Sequence, residues 1–216
     1  MVSYDQKVIL SAAMSLDGKI ATKTGESAFS SKKDKIRFHK LRSRVDAIIV
    51  GKNTVMRDDP LLTVRYAKGK SPTRIIMDSK GTISSNSRII KTAQKVPTIV
   101  VVSNRASKKN LTRLSRFPIR IIKMREDRIS PTKLLKELRK EKIQTILLEG
   151  GGTLNWEFIK ENLVDEMIIT VAPFVVGGEE AITLVDGSGF SKLSESCKLR
   201  LRKITRQKNE VVLYYN

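Results

Sequence analysis

Short apolar runs rich in β-branched residues alternate along the chain with longer polar segments that have helical periodicity. Several of these runs are apolar at consecutive positions, which is typical of parallel strands covered on both faces. On this basis we predict nine strands: Val8–Met14, Ala47–Val50, Arg74–Asp78, Thr98–Val102, Arg120–Lys123, Thr145–Leu148, Glu166–Ala172, Leu199–Thr205 and Val211–Tyr215.

Three of the intervening segments are predicted to be helices. The first covers Lys32–Arg44, with Ser31 as its N-cap. The second opens at Ser130 and Pro131, and the third covers Asn155–Asn162. The apolar residues expected to face the core from these helices are Phe38, Leu41, Val45, Leu134, Leu135, Leu138, Trp156 and Ile159.

This order of elements predicts an α/β domain of three layers with a mostly parallel central sheet. The last two strands meet at Lys208-Asn209, a hairpin turn, so we expect the sheet to end in an antiparallel hairpin. No internal repeat or Pro/Gly-rich linker divides residues 1–216, which we interpret as a single domain.

The charge of the chain favours anionic partners. Lys plus Arg number 42 against 22 Asp plus Glu, a formal net charge of +20, and nucleic acid is one partner that such a charge attracts. The basic residues are spread over the whole chain, however, and only 5% of residues are aromatic. We therefore interpret most of the charge as a solvated surface with no dedicated nucleic-acid partner, and a phosphorylated small substrate uses the same electrostatics.

Cysteine and histidine content limits the chemistry. A single cysteine, Cys197, excludes an internal disulfide and a cysteine-rich zinc site, and a single histidine, His39, excludes a His-based metal centre, so no metal is expected. His39 falls among Lys and Arg in the first helix and is interpreted as a surface residue. The chain shows no signal peptide and no apolar run of roughly 20 residues, so we expect a cytoplasmic protein without a membrane partner.

The strongest local signal for a ligand is the run from Thr145 to Phe158. A buried strand leads there into Glu149, then into the glycines of Gly150–Gly152, and then into a helix. Glycines let a ligand approach the backbone, and a helix start favours phosphate. The spacing matches neither the Rossmann nor the Walker pattern, and a tight turn without ligand is the alternative. A charged residue at the carboxyl end of a strand weighs against that alternative.

Other candidate residues also follow strand ends, where ligands of α/β sheets lie. Thr54 and the Asp58-Asp59 pair come after the second predicted strand, although a solvated turn explains the acidic pair equally well. Arg65, shortly after, is suited to an anionic substrate. Ser79 and Lys80 follow the third strand and could meet a nucleotide phosphate, or simply form an exposed loop.

Taken together, six segments stand in the order found in the riboflavin-biosynthesis reductases, which the chain resembles over nearly its whole length. They are MSLDGKIA, GES, VDAIIVGKNTVMRDDPLLTVR, RIIMDS, LLEGGGTLNWEFIKENLVDE and VAPFVVGG. The resemblance implies a fold similar to dihydrofolate reductase and an NADPH-dependent reduction of the ribosyl group of a pyrimidine ribosylamine 5′-phosphate to ribityl. NADH stays open as the alternative cofactor. Family members often form homodimers, and the apolar C-terminal hairpin is a candidate contact.

The resemblance also implies roles for individual residues. The implied cofactor contacts are Phe29, Thr54, Asp58, Asp78, Ser79, Lys80, Gly81, Gly150, Gly151, Gly152, Thr153 and Leu154. The implied substrate contacts are Ser27, Arg42, Leu62, Arg65 and Glu149, with Arg42 and Arg65 suited to a sugar phosphate. Hydride addition at C1′ of the ring-opened imine needs a proton for the imine nitrogen, and the candidate acids are Glu149 or Asp17 with a raised pKa, or water.

One departure from the bifunctional bacterial enzymes sharpens the expected substrate. The zinc-deaminase signature is absent, since one His and one Cys cannot supply it. A lone reductase is the archaeal and fungal arrangement, which implies 2,5-diamino-6-ribosylamino-4(3H)-pyrimidinone 5′-phosphate as the substrate. The alternatives are the same reduction on 5-amino-6-(5-phosphoribosylamino)uracil and, from a different class, a basic RNA-binding module on a reductase-like fold.

Overall fold

The structure, a computed structural model, describes residues 6–216, and helices and strands alternate from Lys32 to Val171. The strands are β1 (Lys7–Met14), β2 (Lys19–Ala21), β3 (Ala47–Gly51), β4 (Thr73–Met77), β5 (Thr98–Val102), β6 (Arg120–Lys123), β7 (Thr145–Leu148), β8 (Glu166–Val171), β9 (Ile182–Thr183), β10 (Leu201–Gln207) and β11 (Glu210–Tyr215). The helices are α1 (Lys32–Arg42), α2 (Lys52–Asp58), α3 (Arg88–Lys91), α4 (Lys108–Leu114), α5 (Pro131–Lys140) and α6 (Gly152–Lys160), with a 3-10 turn at Leu193–Glu195. Residues 1–5 of the predicted single domain lie outside the described residues.

Nine of these strands form one sheet in the order β10-β11-β8-β1-β7-β3-β4-β5-β6. The seven strands from β8 to β6 in that order run parallel to their neighbours. β11 pairs antiparallel with β8, and β10 closes the hairpin through the Gln207–Glu210 pair. The prediction of a mostly parallel sheet ending in an antiparallel hairpin is confirmed.

Helices cover both faces of the sheet because alternate residues of each strand point to opposite sides. On one face, Ile49 of β3 belongs to a core cluster with Leu134 of α5 and Phe158 of α6. On the other face, its neighbour Ile48 belongs to a cluster with Ile90 of α3. The molecule therefore has the three predicted layers, and no helix in residues 6–216 is long and apolar enough to cross a membrane.

The elements that the sequence pattern missed are short or polar. α2 and α4 have seven residues each and α3 has four, and each of the three buries only one or two side chains. β2 and β9 have three and two residues and form a separate small sheet. α6 begins at Gly152, ahead of the predicted start, because the glycines resemble a loop in sequence. Such elements are held by their surroundings more than by their own propensity.

The start of α1 is fixed to the C-terminal hairpin. The hydroxyl of Ser31 accepts a hydrogen bond from the Asp34 N–H, which confirms the predicted N-cap. The backbone N–H and the hydroxyl of Ser31 in turn donate to the two carboxylate oxygens of Glu210, at 2.5 and 2.6 Å. These bonds set the position of α1, whose later turns carry His39 and Arg42.

Candidate active site

A cavity of about 550 Å³ opens at the carboxyl ends of the central parallel strands, where ligands of such sheets bind. The predicted cofactor contacts that line it are Thr54, Asp78, Ser79, Lys80, Gly151, Gly152, Thr153 and Leu154. The remaining four, Phe29, Asp58, Gly81 and Gly150, are not part of its lining. The structure thus brings together residues from three separate strand ends, as the sequence predicted for this group.

The three glycines form a turn that neighbouring elements hold in place. The Gly151 N–H donates to the Thr54 hydroxyl at 2.9 Å, and the Gly51 N–H donates to the Gly150 carbonyl at 3.0 Å. Gly150 has φ +82°, a conformation that favours glycine. The N-cap residue of α6, Gly151, offers no side-chain acceptor, so no N-cap side chain covers the start of that helix, and its first residues line the cavity.

Asp186, which sequence reasoning did not identify, lies at the same helix start. A Cβ atom at Gly152 would overlap the Asp186 carboxylate and lie 2.5 Å from the Thr183 carbonyl oxygen, so only glycine fits there. Asp186 accepts hydrogen bonds from the Thr183 N–H and hydroxyl. It therefore presents a carboxylate where we expect the phosphate of a ligand to bind.

Basic side chains form another part of the lining of the larger cavity. Lys52, Arg57 and Arg105 join Lys80 in its lining, and only Lys80 was named from sequence. Lys52 and Arg105 follow β3 and β5, so the strand-end rule applied to every strand would have found them. Asp58 forms an ion pair with Arg57 at 3.0 Å, and Arg57 is the member of the pair that lines the cavity.

Asp78 shapes the loop after β4 more than the cavity surface. Its side chain is 2% exposed, and its carboxylate accepts a hydrogen bond from the Ile83 N–H at 2.7 Å. Gly81, at φ +64°, faces α4, where a Cβ atom would lie 3.3 Å from Leu114. These two residues fold the loop so that Ser79 and Lys80 reach the cavity.

A second, smaller cavity of about 280 Å³ lies beside α1. Its lining is Ala13, Ser30, Asp34, Lys35, Phe38, His39, Arg42, Arg65 and Tyr66. Of the predicted substrate contacts, Arg42 and Arg65 are present in it. Ser27 is exposed outside it, and Leu62 is buried in the core with φ +52°.

Glu149 and Arg42 form a buried, bidentate ion pair. The Arg42 Nε and Nη2 atoms each donate to a different Glu149 oxygen at 2.7 Å, and the two side chains are 9% and 7% exposed. Burial acts to lower the pKa of Arg42, but the charge and hydrogen bonds of Glu149 raise it above its ordinary value. Because Arg42 Nη1 also donates to the Thr63 carbonyl, Arg42 mainly orients Glu149, and Arg65 is the more exposed guanidinium of the smaller cavity.

Asp17 lies in the turn between β1 and β2 and lines neither cavity. Its carboxylate accepts hydrogen bonds from the Ser15 hydroxyl at 2.6 Å and from the N–H groups of Val176 and Gly177 at 3.0 and 2.7 Å. These bonds lower the pKa of Asp17 well below its ordinary value. The expected raised pKa is therefore wrong, and the carboxylate supports a loop instead of storing a proton.

The interpretation of His39 as a surface residue is also wrong. Its side chain is 4% exposed, because residues 63–66 fold over α1 and cover it. The imidazole Nδ1 accepts a hydrogen bond from the Arg65 N–H at 2.9 Å, and the ring meets Tyr66 edge-on at 4.8 Å. The basic neighbours of His39 in sequence concealed this burial, since they suggested a fully solvated helix.

Phe29, an implied cofactor contact, packs in the core beside Phe174, with 6.1 Å between the ring centroids. It lines neither cavity. Cys197 is partly buried against the core cluster that contains α5 and α6.

Comparison with known proteins shows what the chain is similar to. The family model described as RibD C-terminal domain matches residues 6–213. The 2,5-diamino-6-ribosylamino-4(3H)-pyrimidinone 5′-phosphate reductase of Methanothermobacter thermautotrophicus is 38% identical over 211 residues, which are 96% of each chain.

Among solved structures, a diaminohydroxyphosphoribosylaminopyrimidine deaminase/5-amino-6-(5-phosphoribosylamino)uracil reductase from Thermotoga maritima is 26% identical with a TM-score of 0.79. The match covers 97% of this chain and 56% of that one. A dihydrofolate reductase from Enterococcus faecalis matches at a TM-score of 0.52 with 11% identity, over 98% of this chain and 96% of the other. The predicted dihydrofolate-reductase-like fold is confirmed.

Proposed function

Because the chain belongs to the RibD C-terminal domain family, we propose that it reduces the ribosyl group of 2,5-diamino-6-ribosylamino-4(3H)-pyrimidinone 5′-phosphate to ribityl in riboflavin biosynthesis. The observation that carries this proposal is the similarity to a reductase named for that compound, which extends over nearly the whole of both chains. The two cavities support it, since one suits a dinucleotide and the other a phosphorylated substrate.

The larger cavity fits a nicotinamide dinucleotide. Its volume lies within the range usual for cofactor sites. The glycines at its wall leave no side chain between a ligand and the backbone, and the start of α6 favours a pyrophosphate. Lys80 and Arg105 lie in the same lining and match the extra 2′-phosphate that distinguishes NADPH from NADH. When bound, the reduced nicotinamide supplies the hydride.

The smaller cavity suits the sugar phosphate of the substrate. Lys35 and Arg65 line it and carry positive charge on different elements, so a phosphate can be held from two sides. The ion pair between Arg42 and Glu149 connects the two cavities. Arg42 lines the smaller cavity, and Glu149 directly precedes the glycine turn at the wall of the larger cavity. The residues of the two cavities would hold the imine carbon of the substrate in line with the cofactor and keep bulk water away from it.

The reaction adds a hydride to C1′ and a proton to the imine nitrogen, which together convert the imine into a secondary amine. Asp17 is held by three hydrogen bonds away from both cavities. Glu149 accepts from Arg42 at both of its oxygens and lines neither cavity, so water is the proton donor that remains. Glu149 is held in one orientation by its two bonds from Arg42, which suits a carboxylate that accepts a hydrogen bond from a substrate group or from that water.

A direct assay tests the function and its alternatives. The purified chain is mixed with NADPH and either the diaminopyrimidine or the deaminated uracil ribosylamine phosphate, and the loss of NADPH absorbance is followed, with NADH in parallel. We expect turnover of the diamino compound. Turnover of the uracil compound alone would move the assignment to the reaction in the name of the Thermotoga maritima protein. Strongly salt-dependent RNA binding without NADPH binding would instead favour the RNA-binding alternative.

We also propose that the enzyme is a cytoplasmic homodimer that pairs through β10. Within residues 6–216 this strand is at the edge of the sheet and pairs only with β11, and its Leu201 and Ile204 side chains are exposed. An edge strand offers its unpaired backbone N–H and C=O groups to another copy, and in β10 the two apolar side chains are interspersed with the charged Arg202, Lys203 and Arg206. Light scattering should give the dimer mass for the wild type and a monomer for Ile204→Lys, and a wild-type monomer would refute the dimer.

A further inference from the structure

We propose that His39 is a positioning residue, which holds the backbone of Arg65 and thereby sets the guanidinium of Arg65 against the smaller cavity. This inference rests on the proposed function, because it assigns the smaller cavity to the phosphorylated substrate. His39 contributes an acceptor to the protein backbone and need not touch the substrate itself.

The segment that carries Arg65 is held by side chains instead of by a strand or helix. The Arg42 Nη1 donates to the Thr63 carbonyl at 3.2 Å, and the Ser71 hydroxyl accepts from the Val64 N–H at 3.1 Å. The His39 Nδ1 accepts from the Arg65 N–H at 2.9 Å. Thr63, Val64 and Arg65 are therefore each held by a side chain, and His39 contacts both the Thr63 backbone and the N–H of Arg65 itself.

Only the neutral imidazole with its proton on Nε2 can make this bond, since Nδ1 must accept. Protonation would place a second N–H opposite the Arg65 N–H and add positive charge beside two guanidinium groups. Burial is the largest cause that lowers the pKa of His39 to about 4, and the charges of Arg42 and Arg65 add to it. The other titratable groups lining the same cavity are Asp34 and Lys35 from α1 and Tyr66 from the segment above it.

A histidine that only fills the core would show different behaviour. Packing against Tyr66 requires a flat ring of the right size and no particular nitrogen. The hydrogen bond from Arg65, in contrast, requires an acceptor at one atom of the ring. Asn places its amide oxygen near the position of Nδ1, whereas Leu fills space without an acceptor, so these two substitutions separate the roles.

The experiment compares His39→Asn and His39→Leu with wild type in steady-state kinetics. We expect His39→Leu to raise KM for the diamino substrate by about tenfold with kcat nearly unchanged, which is the size of one lost hydrogen bond. His39→Asn should stay within about threefold of wild type, because the acceptor is kept. NADPH affinity, measured by fluorescence titration, should be the same in all three proteins.

Leu41→Ala provides a matched control. Leu41 lies on α1, is partly buried and packs against the core without lining either cavity. Leu41→Ala should lower the free energy of unfolding without raising KM. A rise in KM with this variant would show that destabilising α1 is enough to weaken substrate binding, and would overturn the proposal. Equal KM values for His39→Leu and wild type, or equal losses for His39→Asn and His39→Leu, would overturn it as well.

Three measurements test the positioning role without turnover. In ¹⁵N NMR spectra the neutral His39 should be protonated at Nε2, and the Arg65 amide should exchange more slowly in wild type and His39→Asn than in His39→Leu. Ribose 5-phosphate binding should weaken in His39→Leu alone. If the wild-type protein reduces neither pyrimidine, the proposed function is wrong. The positioning role is wrong if His39 is protonated at Nδ1, or if the Arg65 amide exchanges at the same rate in wild type and both variants.

Discussion

The two cavities are built in different ways. The larger one is shaped by backbone at the ends of parallel strands, through glycines, the loop after β4 and the start of α6. The smaller one is shaped by side chains that cross between elements, namely the pair of Glu149 with Arg42 and the bond from Arg65 to His39. A backbone site of this kind depends on local sequence, whereas a side-chain site depends on tertiary contacts.

Breaking the ion pair should have the largest effect on the molecule. Arg42→Met removes the partner of a buried carboxylate, so we expect a loss of about 3–5 kcal/mol in the free energy of unfolding. Substrate turnover should fall with it, since Glu149 loses the two bonds that orient it. Urea denaturation and kcat/KM measure the two effects.

The double variant Arg42→Met with Glu149→Gln is the control for this prediction. It removes both charges, so most of the lost stability should return, while activity should stay low. Recovery of activity in the double variant would show that the pair only supports the fold.

The difference between the cavities explains which parts could be predicted from sequence. The glycine turn and the loop after β4 are contiguous segments at strand ends, and Thr54 follows a third strand end, so eight of the implied cofactor contacts line one cavity. His39 and Asp186 were misjudged or missed because their roles come from Arg65 and Gly152, which are far from them in sequence. A contact between residues that are distant in the chain leaves no pattern in the local sequence.

The fold shows the same division. Strands that are apolar on consecutive positions were predicted within one or two residues, since burial on both faces leaves a clear pattern. The short helices α2, α3 and α4 have little apolar periodicity and were missed. The length of α1 was overestimated because Ser43 and Arg44 continue the polar helical pattern beyond the last turn.

A substitution at Gly152 should test the backbone-built cavity. Gly152→Ala places a methyl group against the Thr183 carbonyl and the Asp186 carboxylate, so the start of α6 or the β9 segment must shift. We expect a loss of about 1–3 kcal/mol in stability and a marked loss of NADPH affinity. Thermal denaturation and NADPH titration give the two values.

Gly151→Ala is the matched control for stability. A Cβ atom at Gly151 would lie 3.5 Å from the Thr54 hydroxyl, an ordinary contact, and φ at this position is −65°. Its unfolding transition should stay close to that of wild type. Equal destabilisation by both substitutions would show that any side chain in the glycine turn lowers stability, and that the close contacts of Gly152 with Thr183 and Asp186 are not the cause.

The side-chain-built cavity should respond to pH through His39. The pKa of His39 falls from its ordinary 6.5 to about 4 in the folded state, so the unfolded chain binds the proton more tightly. The resulting stability is fully present above about pH 6.5 and is lost as the pH falls through about 4, on the order of 1–3 kcal/mol. Urea midpoints at several pH values measure it.

His39→Leu isolates this contribution from the carboxylates that also titrate in acid. The stability difference between wild type and this variant should shrink as the pH falls from about 7 to about 4. A difference that stays constant across that range would mean that His39 keeps the same protonation in the folded and unfolded states.

Removing the charge of Asp186 should give the smallest effect, and it should strengthen NADPH binding where the other substitutions weaken stability or binding. The Asp186 carboxylate lies at the positive end of α6, where the proposed cofactor brings its own negative charges, so the two repel each other. Asp186→Asn keeps the size of the side chain and an acceptor for Thr183. NADPH should therefore bind about threefold to tenfold more tightly to the variant, and the gain should shrink as salt is added. Weaker NADPH binding would show that Asp186 helps to shape the cavity and does not oppose the ligand.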